Sequence, residues 1–249
     1  MEIRDTNGEI RTTRNVGRFA IIIPVYNHAT TVTEVVRQAL ALGYPVFVVD
    51  DGSTDETPQR LAQIKGITLL QHSKNEGKGA AILTGFMAAS GVADYVITLD
   101  ADGQHYPEDA LKLMGAIPSK KRPIVVGARE GMTASSGAHI PWTSRFGRKF
   151  SNFWVWISGG PKLSDSQSGM RIYPLPEALS LHTRARRFQF EVEILVQAKR
   201  KGIPIIEAPV RVNYHPDGSR ISHFRPFVDF FRNAKTFARL IFARIFLQH

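Results

Sequence analysis

Short unbroken apolar runs alternate with stretches of helical spacing through the first half of this chain. Phe19–Val25 (FAIIIPV) is continuous and rich in β-branched residues, the pattern of a strand buried on both faces. Thr30–Leu42 follows, with Val32, Val35, Val36, Ala39 and Leu40 at helical intervals. The alternation then repeats. Strands are expected at Val46–Val49, Ile67–Leu70, Tyr95–Leu99 and Ile124–Gly127. Helices are expected from Thr54 to about Ile64 (capped by Ser53 or Thr54, with Pro58 near its start), over Gly77–Ala89, and over Glu108–Ile117 after Pro107. Strands separated by helices at this spacing predict an α/β fold: a mainly parallel, doubly wound sheet flanked by helices. The second half is less regular. It predicts a helix from Pro141 to about Ser158, a strand at Gly169–Tyr173, a helix over Phe190–Lys201, a strand near Ile203–Val212 and a long amphipathic helix from about Pro226 to Leu247.

The length, 249 residues, suits one large domain, and 43% hydrophobic residues suffice for a core. There is no cysteine, so disulfides, thiolate metal sites and cysteine nucleophiles are excluded. The N-terminal MEIRDTNGEIRTTRN lacks the apolar stretch of a secretory signal, and no apolar run reaches the roughly 18 residues of a membrane span, so a cytoplasmic location is expected. Charge changes the picture more. Residues 1–120 carry 11 Lys/Arg and 14 Asp/Glu, whereas residues 121–249 carry 21 and 8. An acidic half suited to a metal precedes a basic half suited to phosphate or an anionic surface.

Ligands of open parallel sheets bind beyond the carboxyl ends of the strands. Five successive ends here carry polar groups: Pro24-Val25-Tyr26-Asn27, Asp50-Asp51-Gly52-Ser53-Thr54-Asp55, Asn75-Glu76-Gly77-Lys78-Gly79, Asp100-Ala101-Asp102-Gly103-Gln104-His105 and Gly127-Ala128-Arg129. Asp100, Asp102 and Gln104 supply hard oxygens suited to Mg²⁺ or Mn²⁺, ions that keep positions open for substrate phosphates. Asp50 and Asp51 are able to accept hydrogen bonds from a base or ribose. Lys78 opens a helix whose first N–H groups suit phosphate, although the spacing is not that of a P-loop. The absence of G-x-G-x-x-G after the first strand argues against a dinucleotide dehydrogenase.

IIIPVYN, VVDDGSTD, NEGKGAA, ITLDADGQHYPED, GAR at 127–129, SDSQSGMR and FEVEILVQA stand in one order over about residues 19–225. In that order they resemble the family 2 glycosyltransferases of the GT-A fold, most of all the dolichyl- or polyprenyl-phosphate mannose synthase branch. The resemblance implies that Pro24, Tyr26, Asn27, Asp50 and Asp51 hold the nucleoside of a nucleotide-sugar such as GDP-mannose or a UDP-hexose. It implies that Asp100, Asp102 and Gln104 hold a divalent metal on the diphosphate, with Asp102 and Gln104 as direct ligands and Lys78 close by. Arg129 matches the arginine facing an acceptor phosphate. Candidates for a second arginine and a serine on the next helix are Arg145, Arg148 and Ser151. Ser168-Gly169-Met170-Arg171 matches a turn below the site. The chain departs from the branch at His215-Pro216-Asp217-Gly218-Ser219-Arg220, where His215 replaces an arginine and Arg220 a lysine; since histidine is mostly neutral at pH 7, clamping there falls to Arg220.

The implied reaction is an inverting transfer. A phosphate acceptor is already anionic and needs a cation clamp, for which arginine is suited. A hydroxyl acceptor needs a base, and Asp165, Glu191 and Glu193 are available. Glu191 and Glu193 lie two apart on a helix and cannot share a face. The arginine-rich second half favours a lipid phosphate. The expected organisation is a tail over 1–18, a transferase domain over 19–225 (donor and metal half 19–130, acceptor half 131–225) and a basic amphipathic helix over 226–249. That helix mixes Phe227, Phe230, Phe231, Phe237, Leu240, Ile241, Ile245 and Phe246 with Arg232, Lys235, Arg239 and Arg244, and is expected to lie on the inner face of a membrane. A homo-oligomer is left open. Nucleic acid is not an expected partner, because its phosphates would be repelled by the acidic strand ends.

Overall fold

A computed structural model of the chain describes residues 2–4, 10–12, 17–129, 142–213 and 226–246, with side chains from residue 17 onward except in 142–147 and 226–233. Two three-residue strands, β1 (Glu2–Arg4) and β2 (Ile10–Thr12), pair antiparallel within the expected tail. Runs that short carry no periodicity from which to read them.

The main sheet starts with β3 (Phe19–Val25), α1 (Val32–Leu40), β4 (Val46–Asp50), α2 (Thr57–Ala62) and β5 (Ile67–Gln71). It continues with α3 (Lys78–Ala89), β6 (Tyr95–Thr98), α4 (Ala110–Gly115) and β7 (Ile124–Arg129), then α5 (Trp142–Ile157), β8 (Arg171–Pro174), α6 (Phe190–Arg200), β9 (Ile205–Val210) and α7 (Pro226–Phe246). Seven strands lie in the order β5-β4-β3-β6-β8-β7-β9. All neighbours are parallel except β8, which runs antiparallel to both β6 and β7.

Successive side chains of a strand point to opposite faces, and β3 divides accordingly. Ile21, Ile23 and Val25 pack with Val32, Val35 and Val36 of α1 and Leu113 of α4. Ala20 and Ile22 pack with Ala81, Ile82 and Phe86 of α3 and Phe190 and Ile194 of α6. Both faces are covered, which explains why β3 reads as continuously apolar. Gly85 lets α3 lie close to β3, because a Cβ there would stand 2.5 Å from the Ile22 side chain.

Three local readings shift. α2 begins at Thr57, not Thr54, because Ser53, Thr54 and Asp55 are engaged elsewhere: the Ser53 hydroxyl accepts the Asn27 N–H, and the N–H groups of Thr54 and Asp55 donate to the Asn27 side chain. The helix after Pro107 opens with a 3₁₀ turn over Pro107–Asp109, whose Asp109 carboxylate accepts the backbone N–H of Arg211 at 2.7 Å. The strand expected from Gly169 begins at Arg171. Its antiparallel direction has a consequence for the site: residues 164–170 arrive at the edge where β3, β4, β6 and β7 end.

Candidate functional site

At the end of β3, Tyr26 and Asn27 stand half-buried, and Asn27 takes the left-handed conformation with φ 53°. Its amide stitches two loops together, accepting from the Thr54 N–H at 2.7 Å while its Nδ2 donates to the Thr54 hydroxyl. Pro24 lies buried within β3, below the mouth of the site. The β3–β6 ladder ends at the Ile22–Thr98 pair, so no bond to β6 requires the N–H that Pro24 lacks.

The two aspartates after β4 divide. Asp50 lines an open cleft of about 490 Å³ with Gly52, Ser53, Thr54, Pro58, Gln71, His72 and Ser73, and it accepts the Ser53 N–H at 3.0 Å. Asp51 faces inward instead. Its carboxylate accepts the N–H groups of Glu76 at 2.9 Å and Gly77 at 2.7 Å, and lies 2.7 Å from Nδ1 of His72. The Asp51 carboxylate expected at the nucleoside is thus engaged by three protein groups and holds the loop that leads to Lys78. That loop also differs from expectation as a phosphate cradle, because the Gly77 N–H is taken by Asp51 and the Ala80 N–H by the Arg186 carbonyl.

Lys78 brings two distant carboxylates together. Its Nζ is 2.7 Å from Asp100 and 2.5 Å from Glu191. Burial opposes the ammonium charge, but the two carboxylates outweigh it and hold the Lys78 pKa above its ordinary value. Burial also disfavours the Asp100 charge, yet Lys78 and His105 keep its pKa depressed and the group ionised. At Glu191 burial prevails, assisted by Asp100, and its pKa is raised. His105 stands with Nε2 4.0 Å from Asp100, and burial lowers its pKa. Asp102 and Gln104 are half-buried on the same turn, where Asp102 accepts the Gln104 N–H at 3.0 Å. The Gln104 carbonyl accepts the Asn213 N–H, which ties this turn to the segment after β9. Gly169 gives the Asp100 carboxylate its room; any Cβ there would collide with it.

A second cluster lies at the end of β7. Arg129 donates through Nε at 2.5 Å and through its second nitrogen at 2.9 Å to Asp165, a bidentate pair, and Arg148 of α5 approaches the same carboxylate at 4.0 Å. Asp165 is wholly buried; burial raises its pKa, but the arginines more than offset this and hold the carboxyl below its usual range. Arg129 also acts electrostatically on His105, so the two clusters adjoin. Glu207 of β9 secures the turn, accepting the N–H groups of Ser164 at 2.9 Å and Asp165 at 3.1 Å. Ser151 is buried with its hydroxyl 3.1 Å from that of Ser166, so it braces the turn from beneath and does not face an acceptor. Ser168 is likewise buried, and its carbonyl accepts from Arg171.

Among the three carboxylates open as bases, Asp165 is buried under Arg129. Glu193 is buried and accepts from Ala185 N–H, Arg184 N–H and Arg239. Glu191 stands at the Lys78 cluster. The Arg145 side chain, His215 and Arg220 lie outside the described side chains. His72, Glu207 and the partnership of Lys78 with Glu191 had no sequence signal, because 113 residues separate the last pair. Arg171 does belong to a recognised motif, but its full burial, with donation to the carbonyls of Ser166, Ser168 and Glu191, was not legible there.

The residues present suit a hard divalent cation in their chemistry: two carboxylates, one of them held ionised, and a carboxamide on one turn. Among the described residues, no group of three or more acidic or imidazole side chains forms a ready cage.

Comparison with known proteins gives a consistent result. The family model described as Glycosyl transferase family 2 matches residues 20–173. The chain is 30% identical over 214 residues to a UDP-N-acetylglucosamine–dolichyl-phosphate N-acetylglucosaminyltransferase of Methanococcus voltae, covering 78% of this chain and 85% of that one. It is 28% identical to a dolichyl-phosphate beta-glucosyltransferase of Saccharomyces cerevisiae, covering 82% and 69%. In fold it resembles glucosyl-3-phosphoglycerate synthase of Mycobacterium tuberculosis, with a TM-score of 0.67 at 18% identity over 92% of this chain and 78% of that one.

Proposed function

The chain belongs to glycosyl transferase family 2, and from that premise we propose that it moves a sugar, with inversion, from a nucleotide-sugar to a polyprenyl- or dolichyl-phosphate acceptor at a membrane surface. The observation that carries this reading is the pair Arg129 and Arg148 converging on one buried carboxylate, Asp165. Two cations balanced by one anion keep a net positive charge for a phosphate, and guanidinium geometry matches its oxygens. An anionic phosphate acceptor needs no base, and Asp165 and Glu193 are both committed to structural partners. The relatives in Methanococcus voltae and yeast carry names that specify dolichyl phosphate.

In this reading Asp50 receives the nucleoside in the polar cleft it lines, with Tyr26 following Val25, the residue of β3 in register with Asp50. Asp102 and Gln104 would hold Mg²⁺ or Mn²⁺ directly; Asp100, already paired with Lys78, supports them. A bound cation would neutralise the negative charge of the leaving diphosphate. Lys78 offsets the Asp100 charge beside it, so the turn presents less negative charge to the diphosphate. Residues 19–130 would form the donor half, and residues 131–225, with His215 and Arg220, the acceptor half.

A second reading keeps the donor side and takes a hydroxyl acceptor, with Glu191 as base. It is favoured by the raised Glu191 pKa alone. Under it Glu191→Gln abolishes transfer while Arg129→Ala is tolerated; under the first, Arg129→Ala is the damaging change.

Calorimetry against GDP-mannose, UDP-glucose, UDP-N-acetylglucosamine and UDP-galactose, with Mn²⁺ or chelator, tests the donor side. One donor is expected to bind with metal, and to be lost in Asp102→Ala while the melting temperature holds. Binding to no donor by the wild-type chain would overturn the reading.

A further inference from the structure

A lysine ammonium stands on one of the acids assigned to the divalent cation. Lys78 Nζ is 2.7 Å from Asp100 Oδ1, a buried atom that accepts no hydrogen bond from any other group among the described residues. The same Nζ is 2.5 Å from Glu191 Oε1. The Lys78 side chain is only 16% exposed, so solvent and salt screen these pairs little. The backbone fixes where the ammonium reaches. Gly77, just before it, donates its N–H to Asp51 at 2.7 Å, and the Ala80 N–H goes to the Arg186 carbonyl at 2.9 Å. Gly79 brings α3 against the first turn of α6, since a Cβ there would stand 2.5 Å from Cβ of Phe190. That close approach sets Glu191 beside Lys78. Arg171, fully buried, donates to the Glu191 carbonyl at 2.7 Å and fixes the same turn.

We propose that Lys78 is a movable counter-cation: it neutralises Asp100 until the diphosphate of the donor arrives, then withdraws to Glu191, so that divalent metal and nucleotide each bind well only in the other's company. Electrostatics gives the reason. Asp100 and Asp102 stand two residues apart on one turn, with Gln104 beyond them. A unit positive charge in contact with Asp100 opposes a divalent cation on that turn. The negative charge of a diphosphate reverses the balance. Driving the ammonium out of the pocket would leave a buried carboxylate unpaired, which is costly. Glu191 removes that cost. Nζ already touches both carboxylates, so a small change in its terminal torsions releases Asp100 and keeps Glu191 paired.

The inference rests on the nucleotide-sugar and metal reading and goes beyond it in naming the residue that couples the two ligands. Such coupling is reciprocal: the factor by which the nucleotide raises metal affinity is the factor by which the metal raises nucleotide affinity. Lys78 acts through Asp100 and is a positioning residue. A lysine that merely braced residues 75–78 would have the opposite signature, because its loss would weaken the binding of both ligands. Loss of a competing charge strengthens the binding of metal alone.

The test is titration of the full chain with Mn²⁺, read by the electron paramagnetic resonance of the free ion, first alone and then with saturating UDP or GDP. Wild type is expected to bind Mn²⁺ weakly alone and about tenfold or more tightly with one of the two nucleotides. Lys78→Met should raise the affinity for Mn²⁺ alone by about tenfold or more and shrink the effect of the nucleotide. Lys78→Arg keeps the charge and should stay close to wild type. Glu191→Gln removes the second partner, so the ammonium stays on Asp100 and the nucleotide should enhance Mn²⁺ binding less than in wild type. Thermal melting without metal checks each fold, and Lys78→Gln, uncharged but still a hydrogen-bond donor, replaces Lys78→Met if that variant does not fold. Unchanged or weaker Mn²⁺ binding by the uncharged variant would overturn the proposal. So would a gain in Lys78→Arg equal to that in Lys78→Met, or a full nucleotide effect in Glu191→Gln. Nucleotide-assisted Mn²⁺ binding by wild type with no gain in the variant would refute the role of Lys78 and leave the donor reading standing. No Mn²⁺ binding by any form with either nucleotide would overturn both.

Discussion

Asp165 neutralises part of the charge of Arg129 and Arg148 and lies wholly buried while doing so. Asp165→Asn removes the negative partner and leaves guanidinium groups with a carboxamide. Removing one partner of a buried pair typically costs about 3–5 kcal/mol. Urea unfolding at pH 7 is expected to register a loss of that order. The pH dependence follows from the depressed pKa of Asp165 in the folded state. Its stabilisation is present above the unfolded value of roughly 4 and is lost as pH falls through the lower folded value. Wild type should therefore lose stability between about pH 5 and 3 more steeply than Asp165→Asn, whose site does not titrate. Equal slopes would mean the carboxylate contributes nothing through its charge. None of this was legible locally: Asp165 reads in sequence as one acid in a Ser-rich turn, and its partner Arg129 is 36 residues away.

Among the elements, the turn over residues 164–169 depends on two supports that come from other strands. Glu207, on β9, accepts two backbone N–H groups and the Ser164 hydroxyl. Glu207→Ala should release the turn, lower stability by about 1–3 kcal/mol and raise the acceptor KM with a smaller change in kcat. Glu207→Gln, which keeps a carbonyl acceptor, should recover part of both; no recovery would show that charge, not hydrogen bonding, holds the turn. The second support is Arg171, fully buried at the start of β8, which donates to carbonyls of that turn and of α6. Arg171→Met would leave three carbonyls without their donor, at about 1–3 kcal/mol each. The expected result is a large fall in thermal stability, and a near-wild-type melting curve would refute the role. Strand and helix identities along 19–129 were readable because each segment repeats a single period. The direction of β8 was not, because four buried residues look the same in a parallel or an antiparallel ladder.

For the molecule as a whole, the split between an acidic first half and a basic second half corresponds to a division across one sheet edge. The acids of β4 and β6 and the arginines of β7 and α5 meet where the parallel strands end. His105, influenced by Asp100, Asp102 and Arg129 together, marks the seam. The basic surplus extends beyond the site to α7, where Arg239 is drawn inward to Glu193 and Arg244 to the Ile157 carbonyl. These arginines secure α7 to the body.

The sequence by itself determined the fold class, the glycosyltransferase family and the strand ends that meet at the site. It could do so because buried parallel strands and amphipathic helices impose periods on their own residues, and because motifs at strand ends are contiguous. Tertiary structure alone decided which carboxylate does what. Asp50 lines the cleft while its neighbour Asp51 is taken by loop N–H groups, and Glu191 meets Lys78 while Glu193 braces α7. The reason is physical: a carboxylate's role depends on its burial and on the donors around it, and those donors come from elements tens of residues away in the chain.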